Sequence, residues 1–158
     1  TDHVNYIITK ATKRFFVICQ LARIRIDCSA IVTVYCSIVR PIIEYASPVW
    51  HCGLTQGQSY DLEHVQKRCL KMIFPDLSYA DALEIAGIER LSERRERAVI
   101  SLFKEIKHPS HILNNLLPLK PVESHGTVRR DDYPYRLPVA KTCRRACSFI
   151  SYSVARRF

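Results

Sequence analysis

Apolar side chains recur every three or four residues along the first 25 positions, and this period constrains the fold more than any other feature of the chain. The repeating positions are Val4, Ile8, Ala11, Phe15, Ile18 and Ala22. A period near 3.6 residues places such positions on one face of a helix. The pattern therefore predicts one amphipathic helix over about residues 3–25.

A second periodic stretch predicts a kinked helix in the middle of the N-terminal half. Ser29 is expected to be its N-cap, and Pro41 is expected to kink it, because proline lacks an N–H and crowds the preceding turn. Ser47-Pro48 should end it. The side chains expected to anchor it against the first and third helices are Ile42, Tyr45 and Trp50.

Shorter patterns predict the remaining helices. They are a third from Asp61 to Pro75, a fourth from Ser78 to Gly87, a fifth from its N-cap Ser92 to Pro109, and a short sixth over residues 112–117. All four glycines are assigned to junctions between these segments. The sequence predicts an all-α bundle of about five to six helices with an irregular basic C-terminal tail. We expect a helical domain over 1–117, a Pro-rich linker over 118–140 and a truncated basic tail over 141–158.

Composition excludes several classes of protein. The longest uncharged apolar run, Cys28–Val39, is shorter than the roughly 20 residues of a membrane-spanning helix, and no signal peptide is recognisable, so we expect no membrane partner. The seven cysteines are odd in number and scattered, which favours reduced thiols in an intracellular protein. The first residue is Thr1 and not Met, and the last, Phe158, lies inside an Arg-rich, still patterned segment. We therefore expect a fragment of a longer reading frame.

The net charge of +9 is unevenly distributed along the chain. Residues 1–60 contain six Lys/Arg against three Asp/Glu, residues 61–107 contain nine against nine, and residues 108–158 contain nine against three. A strongly basic C-terminal third suggests an anionic partner, most often nucleic acid, although a solvated basic tail has the same composition.

Basic residues interleaved with aromatics supply the candidate binding site. Guanidinium groups bind phosphates and aromatic rings stack on unpaired bases, so this mixture suits RNA or an RNA/DNA hybrid. The residues predicted to contact nucleic acid are Lys10, Lys13, Arg14, Arg23, Arg129, Arg130, Tyr133, Tyr135, Arg144 and Arg145. For the first helix a merely solvated face is an equal alternative. The arginines of the fifth helix, Arg94, Arg95 and Arg97, alternate with Glu93 and Glu96 and are expected to be solvated.

Enzyme signatures are missing. Neither a nucleophile elbow nor a phosphate-cradling glycine loop is present, so no catalytic residue, cofactor or small-molecule substrate is predicted. Tyr79-Ala80-Asp81-Ala82 is similar to a polymerase metal-binding turn but lacks the second carboxylate, and Asp131-Asp132 lies in a Pro-rich loop. Two-metal catalysis needs carboxylates on a rigid scaffold, and the isolated cysteines and histidines have no zinc spacing, so no metal site is expected.

Five ordered segments carry a family resemblance. They are Lys13–Arg23, Tyr35–Trp50, Leu62–Leu70, Leu91–Lys104 and Arg144–Ile150. The most specific part is Arg40–Trp50, which reads Arg-Pro-Ile-Ile-Glu-Tyr-Ala-Ser-Pro-Val-Trp. Together they resemble the region that follows the palm in reverse transcriptases of non-LTR (LINE-like, jockey/CR1-like) retrotransposons.

This resemblance implies a thumb-like, non-catalytic region of an RNA-directed DNA polymerase. It implies that the metal-binding aspartates lie in an upstream palm domain, which would be a partner of this segment. Ser151 stands where the family often has proline, a departure from the pattern. The alternative readings are an inactive structural remnant and a domesticated helical module that binds a protein.

Overall fold

The computed structural model of the chain describes residues 2–118, 135, 142 and 146–156. Its contacts divide the chain into two compact units. The first unit consists of the described residues up to Ser47 together with Leu54–Arg95. The second consists of Pro48–Gly53 and the described residues from Glu96 onwards. The described residues form helices and turns and contain no β-strand, so the all-α prediction is confirmed.

Helix α1 of the first unit spans Asp2–Arg23, which confirms the predicted N-terminal helix. Its buried stripe differs slightly from the predicted one and consists of Val4, Ile7, Ala11 and Ile18. These side chains pack against the second helical segment and against helix α5 (Gln56–Ile73). One face of α1 is thereby buried, and the polar face is left to solvent.

The second helical segment has three parts, α2 (Cys28–Val34), a π-helical turn (Tyr35–Val39) and α3 (Arg40–Glu44). The predicted N-cap was wrong by two positions, because the Asp27 carboxylate accepts a hydrogen bond from the Ser29 backbone N–H. The π turn ends two residues before Pro41, where the helix cannot form its regular hydrogen bond. The segment is therefore bulged where the sequence predicted a kink.

The segment ends earlier than predicted. Ala46 adopts a left-handed backbone conformation with φ of 49°. A short helix α4 (Ser47–Trp50) and a 3-10 turn (His51–Gly53) follow. Tyr45 is 76% exposed, so the prediction that it anchors the segment was wrong. Ile42 and Trp50 are half-buried, and Trp50 belongs to the second unit.

Helix α5 begins five residues before the predicted start. Thr55 and Gln58 form a reciprocal capping box, which satisfies two N–H groups of the first turn. Gly57 therefore lies inside the helix and not at a junction, contrary to the prediction. Helix α6 (Tyr79–Ala86) confirms the predicted fourth helix, with Ser78 as N-cap and Gly87 in the left-handed conformation after its last turn.

Helix α7 (Leu91–Ile106) continues from the first unit into the second. It starts before Ser92, which was wrongly predicted to be its N-cap. The carboxylate of Glu63 accepts hydrogen bonds from the backbone N–H groups of Leu91 and Ser92, at 3.2 and 3.1 Å. A residue distant in sequence thus caps this helix, which is why a local sequence pattern could not locate its start.

The second unit has its own apolar cluster. Buried Phe103, Tyr135 and Val154 form its centre, and Leu117, Phe149 and Ile150 pack against them. Helix α8 (Phe149–Ala155) lies in the tail that was expected to be irregular. In place of the predicted sixth helix there is a 3-10 turn, Asn114–Leu116. The Asn114 amide donates to the carbonyl oxygens of Ile106 and Lys107, which ends α7.

Within the described residues, Cys28–Gly53 is long and apolar enough to cross a membrane by length and composition. Core helices of soluble proteins pass the same test. Here the stretch is interrupted by the π turn and by Ala46, and it buries Tyr35, Val39 and Ile43. The expectation of no membrane partner stays a prediction.

Candidate nucleic-acid interface

The polar face of α1 carries three of the predicted contact residues. Lys10, Lys13 and Arg14 are exposed, and their spacing of three and four residues places them side by side. The Lys10 ammonium lies 5.7 Å from the centre of the Tyr6 ring, a cation–π contact. Arg23 is exposed in the last turn of the helix. None of these four cations forms an ion pair within the described part of the chain.

A small cleft lies beside this face. Its volume is about 230 Å³, and its walls come from α1 and α3. Tyr6 and Tyr45 stand at this cleft with 61% and 76% of their surfaces exposed, next to Lys10. An exposed ring beside a cation is the combination that contacts unpaired bases and phosphates. Tyr6 and Tyr45 therefore join Lys10 in the candidate interface, although the sequence predicted neither as a contact residue and predicted Tyr45 to be a buried anchor.

Helix α5 carries a second basic face that the sequence analysis missed. His64, Lys67, Arg68 and Lys71 occupy positions i, i+3, i+4 and i+7, so one side of the helix presents all four. The balance of nine cations and nine anions over residues 61–107 concealed this face. The signal that reveals it is the helical spacing of the four residues, read separately from the regional net charge.

The α5 face lines a larger cavity of about 430 Å³. Leu70, Phe74, Leu77 and Ala82 supply apolar surface, and Tyr79 supplies a phenol ring. None of the described residues that line it is acidic. A cavity with cationic and apolar walls offers phosphate contacts and a surface for a planar group in the same place.

Contacts within the first unit hold the side chains of this basic face in position. The Arg68 guanidinium lies 4.8 Å from the centre of the Phe15 ring of α1. The Lys71 ammonium donates to the carbonyl oxygen of Pro75 at 2.6 Å. The His64 ring stacks near Tyr60, with 6.2 Å between ring centres. Because these contacts restrict the long side chains, less rotamer entropy is lost when an anion binds.

A buried network of hydrogen bonds includes Tyr79, one of the residues that line the cavity. The Tyr35 hydroxyl donates to the Gln66 side-chain oxygen at 2.6 Å, and the Gln66 amide donates to the Tyr79 hydroxyl at 3.0 Å. Tyr79 in turn donates to Glu63 at 2.5 Å. Burial raises the pKa of both phenols well above the usual range, so both remain neutral hydrogen-bond donors. The network fixes the Tyr79 ring at the cavity wall.

The arginines of α7 have a different environment from the one predicted. Arg94 forms a bidentate pair with Glu44, with N–O distances of 2.6 and 3.2 Å. Arg95 is fully buried, and its Nη2 donates to the Ser59 hydroxyl at 3.1 Å. Burial lowers the pKa of Arg95, and its Nε and Nη1 have no partner among the described residues. The expectation of a solvated arginine face was therefore wrong for both residues.

The acidic string in α6 has a structural role. The Asp81 N–H donates to the Ser78 hydroxyl, and that hydroxyl donates to the Asp81 carboxylate at 2.6 Å. Asp81 thus belongs to the cap of α6. No group of three potential metal ligands occurs among the residues that the structure describes. Asp131 and Asp132 lie outside those residues.

The C-terminal candidates are mostly outside the described residues, namely Arg129, Arg130, Tyr133, Arg144 and Arg145. Tyr135 is described and is only 8% exposed. Its ring centre lies 6.4 Å from that of Phe103 in an edge-to-face arrangement. Because the ring is packed in the apolar cluster of the second unit, we remove Tyr135 from the residues expected to stack on a base.

No protein-family model, curated protein or solved structure matches this chain. The resemblance to the post-palm region of non-LTR reverse transcriptases therefore remains an expectation from the sequence. The geometry itself provides two exposed basic faces, on α1 and α5, each with aromatic rings beside its cations.

Proposed function

We propose that this chain is a non-catalytic nucleic-acid-binding segment of an RNA-directed DNA polymerase from a non-LTR retrotransposon. The observation that carries the binding proposal is the set of exposed cations on α1, namely Lys10, Lys13 and Arg14, without acidic partners in the described part of the chain. The polymerase assignment is supported by the five segments of family resemblance. RNA or an RNA/DNA hybrid is the proposed ligand, and an upstream palm domain is the proposed partner.

The cations of α1 suit phosphate binding because no carboxylate among the described residues pairs with them. A carboxylate beside each lysine would neutralise the face and compete with phosphate oxygens for the same donors. Cations that are exposed and free of such competition release bound counterions when they meet a polyanion. Affinity must then fall steeply as salt concentration rises.

A salt titration with single-stranded RNA tests the proposal. For four to six phosphate contacts, log K against log salt should have a slope of about −3 to −4, at about −0.7 for each phosphate. The triple variant Lys10→Ala/Lys13→Ala/Arg14→Ala should lose about two units of that slope, from three contacts at the same value. Circular dichroism should show unchanged helicity, since the three side chains are exposed.

The matched control is Lys104→Ala, an exposed lysine on α7. It should leave the slope nearly unchanged, whereas Lys13→Ala alone should reduce it measurably. Binding that ignores salt, or no binding at low salt, would contradict the proposed function. A slope that falls equally in Lys13→Ala and Lys104→Ala would show attraction by net charge without an interface.

A helical protein-interaction module is the second candidate. Exposed apolar side chains near the end of α1 favour it, because Phe16 is 63% exposed and Ile24 is 67% exposed. Such a module would bind its partner with weak salt dependence, since apolar contacts dominate. The salt titration therefore separates the two functions.

A further inference from the structure

The structure assigns a specific role to the cavity on α5: we infer that it receives one unpaired nucleotide of a bound strand. The inference rests on the proposed nucleic-acid function and deepens it, because it distinguishes a site that contacts a base from surfaces that contact only phosphates. It concerns Lys67, Arg68 and Lys71 as phosphate-binding groups and Phe74 as the apolar group under the base.

Cavity size fits this occupant. At about 430 Å³ the cavity falls within the range of roughly 300–1,000 Å³ that small-molecule sites occupy. A smaller space would admit only a phosphate, whereas this one has room for a phosphate and a base together. The 230 Å³ cleft beside Lys10 lies below that range, so the α5 cavity is the better candidate for a whole nucleotide.

Charge distribution fits as well. The cations lie along one side of α5, and the rest of the lining is apolar or aromatic apart from Ser78. A nucleotide has the same division, with an anionic phosphate at one end and a flat apolar-faced base at the other. The absence of carboxylates among the described lining residues means that no internal acid competes for these donors.

The cationic groups are already oriented. Arg68 is held over the Phe15 ring, and Lys71 uses one of its three N–H donors on the Pro75 carbonyl oxygen. Two donors of Lys71 therefore remain for an anion. Lys67, which directly precedes Arg68 in the sequence, is exposed and has no ion-pair partner among the described residues. Restricted side chains of this kind favour a defined site over diffuse attraction.

An unpaired strand is favoured over duplex by the shape of the site. A base can enter a cavity only if its face and edge are free of a pairing partner. A duplex would contact Lys67, Arg68 and Lys71 through its phosphates. Its paired bases would not reach Phe74. A free mononucleotide carries the same phosphate and base, so the experiment must distinguish it from a nucleotide within a strand.

The test uses the full chain and four probes: a five-nucleotide uridine strand, an abasic strand of the same length, UMP and inorganic phosphate. Titrations at low salt should show the uridine strand binding roughly five- to 150-fold more tightly than the abasic strand, the range for one stacked base. UMP should bind more weakly than the strand, and phosphate more weakly still. Equal affinity for UMP and the strand would overturn the assignment to a strand.

Two variants locate the site. Lys67→Glu should weaken both strands at least tenfold by placing an anion at the rim, whereas Lys104→Glu, its control on α7, should have a smaller effect. Phe74→Leu keeps an apolar side chain of lower area and should remove most of the advantage of the uridine strand over the abasic one. Equal effects of Lys67→Glu and Lys104→Glu would overturn the inference, as would an unchanged advantage in Phe74→Leu.

The outcomes separate this inference from the proposed function. RNA binding whose salt slope depends on Lys10, Lys13 and Arg14 but not on Lys67 would refute the cavity site and leave the proposed function intact. No binding of either strand by the wild-type chain at low salt would refute both.

Discussion

The basic face of α5 and the arginines of α7 belong to the same charge-neutral stretch of sequence but have opposite environments. On α5, Lys67 and Arg68 are exposed without carboxylate partners in the described residues. On α7, Arg94 is paired with Glu44 and Arg95 is buried. One helix leaves its cations exposed to solvent, and the other uses two of its cations in contacts inside the protein.

The difference shows that the ability of a cation to bind an external anion depends on its existing partners more than on its residue type. A guanidinium already bonded to a carboxylate has few donors left for phosphate. An unpaired cation on an exposed helix face keeps all of them. The comparison therefore predicts large stability effects at the contacts that hold α7 and small ones at the exposed cations of α5.

The largest expected effect comes from removing the acid that joins the two helices. Glu63→Ala leaves two N–H groups of α7 and the Tyr79 hydroxyl without their acceptor. The free energy of unfolding should fall by about 2–4 kcal/mol, because a hydrogen bond to a charged group contributes about 1.5–3 kcal/mol net and water can replace part of what the half-buried Glu63 provides. Urea denaturation measures this. Glu63→Gln, which keeps an acceptor, should lose less than half as much, and an equal loss would contradict the capping role.

A smaller loss is expected when Arg94 loses its partner. Glu44→Ala leaves a partly exposed guanidinium unpaired and should lower the free energy of unfolding by about 1 kcal/mol. High salt should narrow the difference in unfolding free energy between Glu44→Ala and wild type, because screening weakens the Arg94–Glu44 ion pair of the wild type. Glu93→Ala, an exposed acid on α7, is the control and should change stability by less than about 0.5 kcal/mol. A salt-independent difference would indicate lost packing in place of a lost ion pair.

Replacement of the buried guanidinium by an apolar group is expected to be close to neutral. Arg95→Met preserves much of the side-chain volume and removes a charged group in which two nitrogens, Nε and Nη1, have no hydrogen-bond partner among the described residues. Thermal unfolding should shift by no more than the equivalent of about 1 kcal/mol in either direction. Arg95→Ala should be clearly less stable because it leaves a cavity. A loss of several kcal/mol in Arg95→Met would show that the buried charge itself supports the fold.

The smallest stability effect is expected at the exposed basic face of α5. Lys67→Ala removes an exposed side chain without a partner in the described residues and should change the free energy of unfolding by less than about 0.5 kcal/mol. The same variant should weaken binding of single-stranded RNA. A large stability loss with normal RNA binding would reverse the comparison between the two helices.

Much of the fold was predictable because local patterns determine it. The apolar period located α1, and Ser78 with Gly87 located α6. The start of α7 was not predictable, because its cap is Glu63 on another helix. The exposure of Tyr45 was also missed, since helical spacing was assumed to continue through Ala46, where the backbone is left-handed.

The candidate site was predictable only in part. The exposure of Lys10, Lys13 and Arg14 follows from their positions outside the buried stripe of α1. The α5 face was missed because regional charge was summed without regard to helix geometry. The burial of Arg95 depends on tertiary packing around Ser59, which a sequence window does not contain.

The most direct test of the central claim is a two-dimensional NMR titration of the labelled chain with the uridine strand. Backbone amides of residues 10–14 and 64–71 should shift progressively at low salt, and those of residues 94–97 should stay nearly unchanged. Raising the salt should reverse the shifts. Shifts concentrated at residues 94–97, or spread evenly over all helices, would contradict the claim that unpaired cations on α1 and α5 form the interface.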